Sequence, residues 1–153
     1  MRFRRTILFT AVFPAVAGSG CGKAGLGEGP LHPVVGRITY DGKPLTLGAV
    51  AFYPDGSRGN ASRHVPRGAV DGSGKYTIAT TTHPGVVSGW YRVTVVATKE
   101  GPPPPGAAAA MEPGTPWPVS ILPTRYGDQS TSGLSVEVTA SPAGGAYDLV
   151  LTK

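Results

Sequence analysis

The chain has one cysteine among 153 residues, so no internal disulfide can brace it and a folded domain must rest on its core. Charged side chains make up only 15% of the sequence and aromatic ones 8%. The longest mostly apolar run, Thr6 to Ala17, is too short to span a bilayer as a helix. Signatures of catalysis are missing as well. No G-x-S-x-G elbow presents a serine nucleophile, which would in any case need a positioned base. His32, His64 and His83 show no H-x-x-x-H spacing, and Arg63 beside His64 opposes a bound cation. Asp71-Gly72-Ser73-Gly74 brings one carboxylate where calcium takes about 6–8 oxygens, so Asp71 reads as a turn opener that bonds its own backbone. The expectation is therefore no catalytic residue, no metal and no cofactor.

The formal charge of +5 overstates the basic character of the domain. Arg2, Arg4 and Arg5 lie at the extreme N-terminus, which leaves 11 basic residues against 9 acidic ones. Those 11 are scattered rather than clustered, so no nucleic-acid partner is indicated.

What is present begins with an ordered N-terminus. Three arginines precede the apolar run, Gly18-Ser19-Gly20 supplies small residues, and Cys21 follows at once. Charge, apolar core and small residues in that order make residues 1–20 a signal peptide for export. The segment resembles the bacterial lipoprotein pattern, in which a Leu-like residue and two small residues precede a lipid-bearing cysteine. Gly18 stands at the Leu-like position, whereas Ser19 and Gly20 fit. Cys21 is thus the expected lipidation site, and two acyl chains there would hold the protein firmly on a membrane. Ala15-Val16-Ala17 is a competing A-x-A cleavage site that would leave Cys21 a plain thiol on a secreted, soluble protein. A retained anchor is the third alternative. Arg4-Arg5-Thr6 also has a faint twin-arginine look, though nothing else in the chain demands a cofactor.

With 23 glycines and 16 prolines, the rest of the chain disfavours helices and leaves strands joined by turns. Residues 21–33 read as a lipidated cysteine followed by a flexible Gly-rich tether. From Val34 apolar residues alternate with polar ones. Seven segments follow: Val34 to Tyr40, Gly48 to Tyr53, Gly68 to Val70, Lys75 to Thr80, Gly89 to Thr98, Leu134 to Thr139 and Tyr147 to Thr152. In the longest, Tyr91, Val93, Val95 and Ala97 take the core phase, while Arg92, Thr94 and Thr98 face solvent. Turns are expected at Asp41-Gly42-Lys43-Pro44, at Pro54-Asp55-Gly56 and at Asp71 to Gly74. Ser57 to Pro66 reads as a polar loop. Residues 100–123 hold eight of the 16 prolines and read as an extended surface excursion within the domain 34–153. The predicted class is all-β, a single β-sandwich of about seven strands.

The block Val35 to Leu45 (VGRITYDGKPL), with Gly48-Ala49-Val50 and Phe52, resembles the opening of carboxypeptidase regulatory-like domains. Asp71 to Ile78 (DGSGKYTI) is similar to that family's D-x-x-G-x-[YF] turn into a strand. Gly85 to Val95, Leu122 to Tyr126 and Ser132 to Val138 resemble small lipoproteins of planctomycete-type bacteria. The resemblance spans roughly residues 34–153 and implies a transthyretin-like, prealbumin-type sandwich without catalytic residues of its own. Two relatives of that fold carry chemistry this chain does not match. Hydroxyisourate hydrolases end in Tyr-Arg-Gly-Ser, whereas this chain ends Leu149-Val150-Leu151-Thr152-Lys153. Adhesin domains with Lys–Asn isopeptide bonds need an asparagine in the last strand, and Asn60 is the sole asparagine here.

Trp90 and Trp117 are the candidate stacking residues, because Trp90 is out of core phase and Trp117 lies in the Pro-rich excursion; packing at a core edge is the competing reading. The expected function is a non-enzymatic, membrane-anchored structural or protein-interaction module at the cell envelope, on its periplasmic or surface side. The alternative is a carbohydrate- or peptide-binding module that uses exposed aromatics. Its partner would be a glycan or an envelope protein.

Overall fold

Alternation of apolar and polar residues can be satisfied only if each strand lays one face on a shared core. The computed structural model of the chain, which describes residues 29–104, 112 and 116–153, is all-β. In chain order its strands are β1 (Leu31–His32), β2 (Val34–Tyr40), β3 (Lys43–Pro44), β4 (Gly48–Pro54), β5 (Arg67–Val70) and β6 (Lys75–Thr80). There follow β7 (His83–Pro84), β8 (Val86–Val87), β9 (Gly89–Val96), β10 (Thr98–Gly101), β11 (Trp117–Ser120), β12 (Leu134–Val138) and β13 (Leu149–Leu151). The signal segment 1–20, Cys21 and residues 22–28 lie outside the described residues, as do 105–111 and 113–115 of the Pro-rich excursion.

The seven segments expected from alternation form one hydrogen-bonded path in the order β12-β9-β4-β5-β6-β2-β13. Every neighbouring pair is antiparallel except β2 and β13, which run parallel. The path curls, so that Phe52 on β4 meets Tyr76 on β6 edge-on at 6.4 Å and Tyr91 on β9 at 5.8 Å. Val34, Ile38, Val50, Ile78, Val93 and Leu151 complete the centre of the core and are fully buried.

Four tyrosines place their rings in this core and their hydroxyls on backbone groups. Tyr76 Oη donates to the Tyr147 carbonyl at 2.5 Å, and Tyr91 Oη donates to the Val87 carbonyl at 2.9 Å. Tyr126 Oη accepts from Thr152 N at 2.9 Å and donates to its carbonyl at 3.1 Å. Tyr147 Oη accepts from Thr139 N at 3.4 Å, linking the end of β12 to the approach of β13. Tyr147 thus ties β12 to the approach of β13, the two ends of the sheet path, which no backbone ladder joins, while Tyr126 ties the turn on β9 to the residue after β13. A buried phenol without such partners would forfeit part of what the ring's burial contributes.

Four readings of the sequence need correction. Leu31–His32, read as tether, pair antiparallel with Val86–Val87, so backbone pairing starts before Val34. The segment Gly89 to Thr98, read as one strand, breaks at buried Ala97, whose carbonyl accepts from Ile121 N at 3.0 Å. Thr94, assigned to solvent, is 4% exposed, because the 3-10 turn Thr124–Gly127 packs on β9 beside Val96, on the face that also carries Thr94. The excursion 100–123 is not structureless at its ends: β10 and β11 pair from Thr98↔Ser120 to Gly101↔Trp117. Its prolines left enough free N–H groups for a short ladder.

Local chemistry accounts for the turns that the sequence places correctly. Asp41 and Gly42 both have positive φ (49° and 77°), as a two-residue hairpin between β2 and β3 requires. Gly36 matters for a different reason. A Cβ there would lie 2.2 Å from the Tyr147 carbonyl oxygen and 2.9 Å from the Tyr76 ring. Gly36→Ala is therefore expected to destabilise the fold by about 2–3 kcal/mol. Gly72→Ala, where a Cβ meets nothing within 4 Å, should stay within about 0.5 kcal/mol of the parent. Urea denaturation midpoints of both variants check this, and equal midpoints would contradict the packing described.

Candidate functional site

Outside the core, the most elaborated side-chain arrangement is the loop after β4. Asp55 caps the 3-10 turn Gly56–Arg58: its Oδ1 accepts from Ser57 N at 3.1 Å and from Ser57 Oγ at 2.5 Å. Its Oδ2 faces Arg92 Nε at 3.2 Å. Gly59 then turns through the left-handed region (φ 80°), and Asn60 N returns to the Asp55 carbonyl. Buried Asn60 donates Nδ2 to the Trp90 carbonyl at 2.7 Å, the same oxygen that accepts from Asp55 N at 2.9 Å. The loop is thus clamped to the start of β9. Gly89 makes the clamp fit, since a Cβ there would meet the Asn60 amide at 2.9 Å.

This clamp sets Arg58 over Trp90, with the guanidinium carbon 4.1 Å from the ring centroid. Arg58 Nη1 also donates to Ser135 Oγ on β12 at 3.3 Å. One face of half-buried Trp90 is therefore already covered by a cation. Trp117 sits elsewhere, opposite Gly101 at the far end of the β10–β11 ribbon. Trp90 and Gly101, the partner of Trp117, are separated by roughly 35 Å of chain path. The two tryptophans do not share a platform, and Tyr91 and Tyr126 are buried. Trp117 instead flanks a concavity of about 260 Å³ with Lys99, Glu100 and Pro118.

By sequence alone Arg58 and Asn60 fall inside the undifferentiated polar loop Ser57 to Pro66. One signal was available, because the pattern Asp-x-Ser occurs at Asp55-Gly56-Ser57, Asp71-Gly72-Ser73 and Asp128-Gln129-Ser130. In all three the Asp Oδ1 accepts from both the backbone N and the hydroxyl of the Ser. Asp71 also accepts from Lys75 N at 3.0 Å, which carries out the turn-opening role assigned to it. His32, His64 and His83 join no such cluster, and among the described residues no three His, Cys, Asp or Glu side chains converge as a metal site would need.

Electrostatics follows these bonds. The Ser57, Ser73 and Ser130 hydroxyls hold the Asp55, Asp71 and Asp128 carboxyls below the ordinary aspartate range. Lys153 does the same for Asp41, at 2.9 Å from Nζ. Such carboxylates are structural acceptors, committed in the ionised form. A folded-state pKa below the unfolded one means stability is present above about pH 4 and is lost as pH falls through the folded values. Thermal midpoints should thus be flat from pH 7 to about 5 and fall below about 4. A midpoint unchanged at pH 2.5 would contradict the assignment. Among known proteins, no family model, no curated sequence and no solved structure matches this chain.

Proposed function

We propose that this chain is a non-enzymatic lipoprotein, anchored in the cell envelope through Cys21, whose β-domain acts as a structural or protein-interaction module. The observation that carries the reading is the order of Arg2, Arg4 and Arg5, the apolar run Thr6 to Ala17, and Ser19-Gly20 directly before the single cysteine. The commitment of four aspartates to backbone, serine and lysine partners supports a structural rather than a chemical use of the acidic groups.

The finer fold reading, a transthyretin-like sandwich of the carboxypeptidase regulatory-like type, belongs to the same proposal. Its support is that Val35 to Leu45 builds β2 with its hairpin, and that Asp71 to Ile78 builds the Asp-opened turn into β6. The alternative, a carbohydrate- or peptide-binding module built on exposed aromatics, draws on the concavity beside Trp117.

Expression of the full chain in a bacterial host with labelled palmitate tests the anchor. The parent is expected in the membrane fraction with label, and Cys21→Ala in the soluble fraction without it. Membrane retention of Cys21→Ala, or an unlabelled mature chain beginning at Gly18 by intact mass, would overturn lipidation.

A further inference from the structure

Beside the clamped loop lies a second concavity, of about 250 Å³, bounded by the turn at Asp55 to Arg58, by Arg92, by the Gln129-Ser130 turn and by Ser135 at the start of β12. We propose that this concavity binds a carboxylate-bearing sugar unit of an acidic glycan, with the Arg58 and Arg92 guanidinium groups as paired donors. The proposal sharpens the carbohydrate-binding alternative of the preceding section, at a different place on the domain and through arginines in place of exposed aromatics. It rests on that reading for its biological setting but not on Cys21 for its chemistry.

Two cations are prearranged at this concavity. Arg58 lies over the Trp90 ring and is pinned by Ser135, so much of its side-chain freedom is already spent before any ligand arrives. Arg92 is fixed through Nε by Asp55, and among the described residues its two Nη groups have no protein partner. Its side chain is 44% exposed, whereas that of Asp55 is 8% exposed. A guanidinium held at one edge presents the rest of its fork to solvent, and that fork matches a carboxylate in plane.

Asp55 is ionised and balances the Arg92 charge, so the uncompensated cation is Arg58, which among the described residues has no carboxylate within ion-pair distance. Both Asp55 oxygens are occupied, Oδ1 by Ser57 and Oδ2 by Arg92. Asp128, adjacent to Gln129, turns its Oδ1 into its own turn. Glu137 stands opposite Trp90, two pairs further along than Ser135 opposite Arg92 and on the same face of the sheet.

Size and lining select the ligand. The volume equals that of roughly eight liquid waters at ~30 Å³ each, the scale of a single sugar ring. Leu134 is the only apolar side chain in the wall, and serine and glutamine groups are suited to sugar hydroxyls. A peptide would want apolar anchor pockets, which this wall does not offer.

The test uses the full chain in detergent micelles, titrated calorimetrically with trigalacturonate, with the neutral galactose trimer and with a triglutamate peptide. In a Trp117→Phe background Trp90 is the sole tryptophan, and its emission reports events at Arg58. Trigalacturonate is expected to bind saturably and to shift Trp90 emission, while the neutral trimer does neither. Arg58→Gln and Arg92→Lys are each expected to weaken binding about tenfold, with circular dichroism unchanged; the lysine keeps the charge but loses the fork. If Arg92→Lys does not fold, Arg58→Gln alone decides. No binding of trigalacturonate, equal binding of the neutral trimer, parental affinity in Arg58→Gln, or tighter binding of triglutamate would each overturn the proposal. Membrane partitioning of Cys21→Ala is read separately, so failure of the anchor and failure of the ligand site remain distinguishable.

Discussion

The carbonyl of Tyr147 is the point on which the fold turns. It sits where a side chain at position 36 would have to be, and it accepts the Tyr76 hydroxyl. That single oxygen therefore joins β2, β6 and the approach to β13. Arg37 N, next to Gly36, donates to Asp148 Oδ1 at 2.8 Å and locks the same junction from the surface. Only after this docking can β13 run parallel to β2, with Leu149 and Leu151 buried and Val150 left 69% exposed. Burial raises the Tyr76 hydroxyl above the ordinary tyrosine range, with the Asp148 charge adding to it, so the donor stays protonated. Parallel pairing at the end of an otherwise antiparallel path has a weaker ladder of its own, so the junction must hold it.

The same economy appears on the surface. Three Asp-x-Ser turns let one carboxylate oxygen satisfy two donors within three residues, and each fixes a change of chain direction without help from a disulfide. At Asp55 the second oxygen remains free to hold Arg92, and the turn then delivers Arg58 onto Trp90. A structural device thereby arranges two cations on one face of β9. The link runs from turn chemistry, through loop clamping, to a surface whose charge is fixed in place rather than carried on waving side chains.

Much of this was legible from residue order. The inward phases of Val34, Gly36 and Ile38, of Tyr76 and Ile78, and of Tyr91, Val93 and Val95 follow from alternation, and each is buried. The Asp71 turn was readable because its partners lie within four residues. The misses share a physical origin. Leu31–His32 and Val86–Val87 are too short to signal a strand, and they pair across more than fifty residues. Proline content hid the β10–β11 ribbon, and Thr94 is covered by a turn from a distant part of the chain. Trp90 was rightly set apart from the core phase, but its stacking partner Arg58 lies in a loop with no periodicity to read.

By itself, then, the sequence determined the seven strands of the main path, most of their buried faces, the Asp-opened turns and the order of features that ends at Cys21. Each depends on neighbours a few residues apart, where side-chain alternation and backbone preference act directly. Only the tertiary structure decided the order of strands in the path, the seating of Tyr147 over Gly36 and the meeting of Arg58, Trp90, Arg92 and Ser135. Those contacts join residues 32 to 111 positions apart, and nothing local in the chain specifies which distant group will arrive.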